Sequence, residues 1–445
     1  MATATLPRGP SVPRFVQGGY ALAVPQRGMR QMRDRYGSAF TVNIPIFGHA
    51  LVISDPTEVK QLFQAGSEVS DYPDRNLGRV LGPGSMFALR GDEHRKQRKL
   101  LVPPFHGRRL AAYEGIVEEE TARELASWPQ GREFPTLPSW NRITLNVILR
   151  AVFGAEGEEL SQLRALLPRL VTLGSRLALL PVPPLRRVPW SPWRRLEALR
   201  REYDAIIERL IAKAEQSDLS QRDDIFALML QARYDDGSPM THRAIADQLA
   251  TLLTAGHETT ATTLAWAVER LRRHPAVLAE LVAEAESGGT ALREATIVEV
   301  MRSRPVIDFI SRQVRADSVQ IGRWTLPRGQ VVIASIALMH DNDDLFPRAR
   351  EFDPGRFLDA KPDLYQWIPF GGGTRRCLGG AFATMEMHVA LGAMLRQVTL
   401  SPTTAPDEKW HFRGVANAPA RGGRALAWRR VRQTAQSTQS AGARS

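Results

Sequence analysis

Phe370-Gly371-Gly372-Gly373-Thr374-Arg375-Arg376-Cys377-Leu378-Gly379-Gly380 is the most informative stretch of the chain. Three consecutive glycines let the backbone take conformations closed to other residues, and let a flat object approach closely. The only cysteine of the chain follows them. Ala381-Phe382-Ala383-Thr384-Met385-Glu386-Met387 then reads as a helix, so Cys377 sits just before a helix N-terminus. There, free backbone N–H groups and the positive end of the helix dipole stabilise a thiolate. Arg375 and Arg376 add positive charge. Such a thiolate is a nucleophile, a redox sensor, a metal ligand or an inert buried thiol. A nucleophile wants a histidine base, and none lies nearby in sequence.

Working outward, the 445 residues hold 59 Lys+Arg against 47 Asp+Glu, a net charge of +12, and 43% are hydrophobic. The chain can bury a large core and is not disordered. One cysteine excludes an internal disulfide, a multi-cysteine zinc site and a cysteine-ligated iron–sulfur cluster. The basic balance suggests acidic partners. Its charges are scattered, save Arg95-Lys96-Gln97-Arg98-Lys99, Arg108-Arg109, Arg194-Arg195 and Arg375-Arg376. No aromatic-interleaved motif accompanies them, so no nucleic-acid partner is expected. Residues 1–14 carry three prolines and no apolar run, unlike a signal peptide. The longest apolar stretch, Val331 to Met339, is far short of the roughly 20 residues a membrane span needs. The reading is a soluble, cytoplasmic protein. Residues 1–18 are expected to form a flexible, extended arm, 19–432 one domain, and 433–445 a disordered tail.

Strand-like text is scarce. Phe40–Ile44 and Ala50–Ile53 read as a hairpin, and Val319–Trp324 with Val331–Ser335 as a second pair turning at Pro327-Arg328-Gly329. Helical periodicity marks Glu114–Trp128, Trp140–Phe153, Leu196–Glu215 and Asp223–Tyr234. The longest periodic segment runs from Thr241, a candidate N-cap, to His274-Pro275. The chain is therefore mainly α with a small β part. The middle of the long helix, Ala255-Gly256-His257-Glu258-Thr259-Thr260, breaks its own pattern. Glycine there costs about 1 kcal/mol against alanine, and threonine can bond the carbonyl four residues back. A local conflict inside a consistent element marks function. Close helix packing through Gly256, with Glu258 in a buried ion pair, is the plainer alternative.

Phe370, Gly373, Arg375, Cys377 and Gly379, in the order Phe-x-x-Gly-x-Arg-x-Cys-x-Gly, resemble the haem-binding loop of the cytochrome P450 superfamily; Ala383 and Glu386 continue the likeness. Glu299-Val300-Met301-Arg302 resembles the Glu-x-x-Arg of that family, and Phe352-Asp353-Pro354-Gly355-Arg356-Phe357 its arginine-bearing segment. The resemblance spans residues 20–430 and is to soluble bacterial, actinobacterial-type members. It implies a P450-type fold, with the long central helix over a haem b that Cys377 ligates. It implies further haem contacts from Phe370, Gly371, Gly379, Arg375, Arg312, and from His94 and Arg98, which share a helix face. Ala255 and Gly256 would leave room for dioxygen. Glu258 and Thr259 would be the acid–alcohol pair that relays protons. Glu299, Arg302 and Arg356 would form a buried structural charge network.

The implied function is insertion of one oxygen atom from O2 into a hydrophobic small molecule, a lipid, sterol or other apolar compound. Electrons would come from a separate ferredoxin and its NAD(P)H-linked reductase, since no reductase segment is present, and the enzyme would act as a monomer. Arg95, Lys96 and Lys99 are either a solvated face or part of the donor's docking surface. A haem-thiolate peroxygenase or isomerase is disfavoured by Glu258-Thr259, as is a non-catalytic haem sensor. Leu177–Trp193 holds five prolines and two tryptophans. It reads as a rigid surface loop, or as an apolar lid in peripheral contact with a membrane. With residues 71–89 and 166–193 it would line the substrate pocket.

Overall fold

A computed structural model describes residues 5–23, 25–45, 47–73, 77–154, 157–178 and 188–430. The tail at 433–445, and residues 179–187 of the proline-rich segment, lie outside them. The central helix, His242–Arg273, has 32 residues and so is about 48 Å long. Thr241 caps it by accepting a hydrogen bond from the Ala244 N–H. Helix Leu137–Phe153 packs along it, and both feed one large apolar core that includes Trp140, Ile148, Leu249 and Leu264.

The largest sheet among the described residues has five strands. Its strands run Ala39–Ile44, Gly48–Ile53, Val331–Ser335, Phe309–Val314 and Ser70–Asp71. The expected first hairpin is present, with Phe40 opposite Val52. The second pair is corrected. Ser318–Ile321 pairs with Trp324–Pro327 across Gly322, whose φ is +56°. Val331–Ser335 instead lies inside the large sheet, parallel to Gly48–Ile53 and antiparallel to Phe309–Val314. All five of its residues are buried, which fits an interior strand better than one arm of a surface hairpin. The sheet edge places Asp71 opposite Gln313, beside Arg312.

Three further expectations shift. The N-terminal stretch is not free: Thr5 N–H bonds Thr325 O, and Arg8 O accepts from Thr41 N–H. From Arg14 it is helical, to Ala23, with the Gln17 amide bonding Pro10 O and Val12 O. The helix expected over Asp223–Tyr234 is only Ile225–Gln231. Asp224 caps its start, and Ala232 is extended, leading to a turn at Gly237. In the proline-rich segment the two tryptophans differ. Trp193 is buried as a core anchor, whereas Trp190 is 82% exposed. No described helix is long and apolar enough to cross a membrane.

Candidate active site

The glycines of the cysteine loop are there because its neighbours leave no space. A Cβ on Gly372 would lie 2.0 Å from the Phe63 ring, and one on Gly373 2.2 Å from Phe63 O. Gly371 and Gly373 also have φ of +68° and +64°, so side chains there would be strained as well. The loop closes with the Cys377 N–H donating to Phe370 O at 2.8 Å. Helix Gly380–Gln397 begins just after it. Cys377 is an exposed residue whose thiol is recessed among its neighbours. Its surroundings push the thiol pKa up by desolvation, opposed by the Gly379 backbone and the charges of Arg98 and Arg376. The expected help from Arg375 is absent, because Arg375 turns the other way. Iron would override that upward push, since a coordinating thiol is deprotonated.

Arg375 is buried and held by Asp71. Its Nε and Nη2 donate to the two Asp71 carboxylate oxygens at 2.7 and 2.8 Å. Its Nη1 donates to Met86 O and its Nη2 also to Leu89 O. Four of its five N–H donors are thereby used, which leaves one for a cofactor carboxylate. The Tyr72 ring lies between Arg375 and Arg312, 4.9 and 5.0 Å from the two guanidinium carbons. Asp71 and Tyr72 begin the segment expected to line the substrate pocket; nothing local in the sequence marks them as partners of Arg375.

The remaining expected cradle residues gather here. His94 faces inward from helix Gly91–Leu101 with Gln97 and Leu101, and its Nδ1 has no hydrogen-bond partner. Burial, then Arg375, lowers its pKa to about 4, with Asp71 opposing. Arg312 is buried and bonds Gly372 O at 3.3 Å. Desolvation lowers the pKa of Arg98, which Cys377 and Tyr72 partly restore. Three arginines and a histidine with an orphaned nitrogen thus meet one carboxylate. That surplus of positive charge and unused donors fits a group with two carboxylates, as haem has. Among the described residues no cluster of three or more His, Cys, Asp or Glu side chains could hold a metal ion.

On the central helix, Ala255 is exposed and Leu252, Thr254, Gly256, Glu258 and Thr259 are half-buried, between buried runs at 245–251 and 260–272. A Cβ on Gly256 would meet Ile148 at 3.6 Å, an ordinary contact. Close helix packing therefore does not explain this glycine. Thr259 Oγ1 donates to Ala255 O and Thr260 Oγ1 to Gly256 O, at 2.9 and 3.1 Å. Glu386, buried on the helix after the cysteine loop, interacts with Thr260, and burial holds its pKa well above the usual range. Glu258 lies 3.6 Å from Arg413. Burial raises its pKa and Arg413 lowers it. Arg413 was not singled out in the sequence.

The Glu299 network is assembled. Arg302 Nε and Nη2 donate to Glu299 at 2.6 and 2.7 Å, and Arg356 Nε lies 3.4 Å from Glu299 Oε2. Arg302 Nη1 also bonds His340 O and Ala349 O, both at 2.7 Å. Glu299 and Arg302 are fully buried.

The family model for Cytochrome P450 matches residues 7–422. Cytochrome P450 138 of Mycobacterium tuberculosis is 52% identical over 427 residues, 96% of this chain and 97% of that protein. Cytochrome P450 135B1 of the same organism is 39% identical over 447 residues, 97% of this chain and 94% of the relative. Among solved structures, a cyanobacterial CYP120A1 with bound retinoic acid superposes with a TM-score of 0.84 at 23% identity, covering 96% of this chain and all of that one. The chain belongs to the cytochrome P450 family, the monooxygenases that carry haem b on a cysteine thiolate.

Proposed function

We propose that this enzyme hydroxylates an apolar small molecule in the cytoplasm, with electrons from a separate ferredoxin and its reductase. The observation that carries the reading is the open face at the middle of the central helix, where Ala255, Gly256, Glu258 and Thr259 lie between two buried runs, 245–251 and 260–272. Haem, when bound, supplies an electron-rich iron on which dioxygen is activated. Cys377 is the residue that would ligate it. His94, Arg98 and Arg312 would hold its carboxylates, with the one remaining Arg375 donor. Phe370, Gly371 and Gly379 shape the loop around the cysteine.

The chain's own residues govern access and protons. Ala255 and Gly256 keep the helix thin beside the reaction space. Glu258 collects a proton from solvent and Thr259 Oγ1 passes it inward, leaving its bond to Ala255 O. This acid–alcohol arrangement favours a monooxygenase over a peroxygenase, an isomerase or a haem sensor.

The test is the carbon monoxide spectrum of the reduced protein, followed by turnover with a ferredoxin and reductase. The wild type should give the red-shifted Soret band of a thiolate-bound iron, and Cys377→Ser should lose it. An unchanged spectrum in the variant would refute the ligand assignment. Product formed from peroxide but not from the ferredoxin system would favour the peroxygenase.

A further inference from the structure

The two faces of the five-stranded sheet are covered unequally. Side chains alternate across a strand. Leu51, Ile53, Val332 and Ala334 share one face and are fully buried. Phe63 and Ile310, which belong to that same packing, are the residues that meet the cysteine loop at Gly372 and Gly371. Val52, Ile333 and Phe309 take the other face, packed with Met29 and Met32 of helix Pro25–Tyr36. Here the cover is incomplete. A cavity of about 760 Å³ opens between this face, helix Pro25–Tyr36 and helix Arg14–Ala23. That lies within the roughly 300–1,000 Å³ of sites that take a small organic molecule. His94, Arg98, Arg312, Arg375 and Cys377 do not line it. It is therefore a different space from the one beside the cysteine loop.

Much of its apolar lining stands in water. Val12, Val16 and Tyr20 line it at 46%, 56% and 38% exposure. Val16 and Tyr20 are four residues apart, on one face of their helix. Met29, Met32 and Ile44 line it half-buried. Covering such surface is favourable, and exposed apolar patches mark binding sites. The two methionines can adapt to the shape of an occupant.

A second wall is polar. It is built from Ser303-Arg304-Pro305, where helix Ala291–Ser303 ends, and from Asp407-Glu408-Lys409-Trp410. The acids on the lining are taken. Asp341 meets Arg30 and Arg350. Asp407 meets Arg270 and Arg304. Glu408 accepts the backbone N–H groups of Arg421, Gly423 and Arg424. Burial raises the pKa of Asp308 and so favours its neutral form. Among the cations, Arg302 is held by Glu299 and Arg35 lies over the Tyr36 ring. Lys409 is exposed and has no ion pair among the described residues. Arg304 has a buried Nε with no hydrogen-bond partner. Desolvation, then Arg270, lowers its pKa to about 10, so its charge is incompletely compensated. An anion at this wall would supply what Arg304 and Lys409 lack.

We propose that this cavity is a second ligand site, binding a long-chain carboxylic acid with its chain along the sheet face and its carboxylate at Arg304 and Lys409. The site lies on the side of the sheet turned away from the haem loop. An acid bound there leaves the iron untouched.

The experiment titrates the haem-loaded enzyme with dodecanoate, and with dodecanol as the same chain without a charge. Calorimetry reads binding, and the Soret band is recorded in the same titration. Dodecanoate should bind without moving the Soret band, and about tenfold or more tighter than dodecanol. Lys409→Glu should weaken dodecanoate by about tenfold and leave dodecanol unchanged. Met32→Trp, which fills the space against the sheet, should weaken both. The carbon monoxide spectrum of each variant should match the wild type. Lys409 is an exposed side chain, so its variant carries the test alone if Met32→Trp folds poorly. Absence of dodecanoate binding below millimolar concentration would overturn the proposal. So would binding that shifts the Soret band and ignores both variants, because the acid would then occupy the space beside the haem. Equal affinity for dodecanol would refute the carboxylate's place at Arg304 and Lys409. If vesicles of anionic phospholipid bind the enzyme and free dodecanoate does not, the exposed face of helix Arg14–Ala23 is a membrane contact and the cavity site falls.

Discussion

Asp71 and Arg375 are both buried, and their two-pronged contact takes a full pair of charges out of water. Removing one member of such a pair strands the other, at about 3–5 kcal/mol. Asp71→Asn keeps the shape and one acceptor, so the expected loss in urea unfolding of the haem-free protein is about 3 kcal/mol. Haem should recover part of it, because a freed Arg375 can turn to a cofactor carboxylate. Equal losses with and without haem would mean that Arg375 has no reach toward the cofactor. His94 makes the complementary prediction, from pH. Its pKa falls from 6.5 to about 4 on folding without haem. The unfolded chain therefore binds more protons between those values. Stability contributed by neutral His94 is full above about pH 6.5 and is lost as pH falls toward 4. Each pH unit in that window removes at most about 1.4 kcal/mol. His94→Phe should flatten this slope in the haem-free protein. Bound haem should shrink it in the wild type, since an anion beside His94 favours the imidazolium. A slope that ignores haem would place His94 away from the carboxylates.

At the scale of the element, Gly256 separates stability from function. Alanine would gain about 1 kcal/mol of helix propensity, and its Cβ would meet Ile148 at an ordinary 3.6 Å. Gly256→Ala should therefore melt at the wild-type temperature or above it, yet turn over more slowly, because the added methyl thickens the open face. A variant that is less stable and equally active would reverse the assignment. This helix was legible in the sequence because caps and i,i+4 contacts are local: Thr241 starts it and His274-Pro275 ends it, as read. The cysteine loop was legible for a similar reason, its glycines, arginines and thiol lying within eleven residues. Strand Val331–Ser335 was assigned to the wrong partner, since a short apolar run reads alike as a hairpin arm or an interior strand. Asp71 bonds Arg375 across 304 positions. No periodicity encodes such a meeting, nor that of Arg413 with Glu258. The sheet edge and the turn after Phe412 create them only once the chain has folded.

At the scale of the molecule, the net charge of +12 raises the question of where an electron donor docks. Helix Gly91–Leu101 joins the interior to the surface. His94, Gln97 and Leu101 face inward, while Arg95, Lys96 and Lys99 face solvent. Arg95 is paired with Asp92, and Lys99 lies 2.6 Å from Asp235, so part of this basic face is already neutralised. Exposed pairs of this kind are weak and can be exchanged for an acidic partner. Charge complementarity acts mainly on the association rate and falls with salt. The Debye length shrinks from about 30 Å at 0.01 M to about 10 Å at 0.1 M. Reduction of the enzyme by an acidic ferredoxin should therefore slow steeply with ionic strength. The double variant Lys96→Glu, Lys99→Glu should be slow even at low salt and lose most of that dependence. Reduction by dithionite and the carbon monoxide spectrum should be unchanged, since neither side chain points toward the thiol. If the variant is reduced by ferredoxin at the wild-type rate with the wild-type salt dependence, the donor docks elsewhere, and this face is only a solvated helix surface.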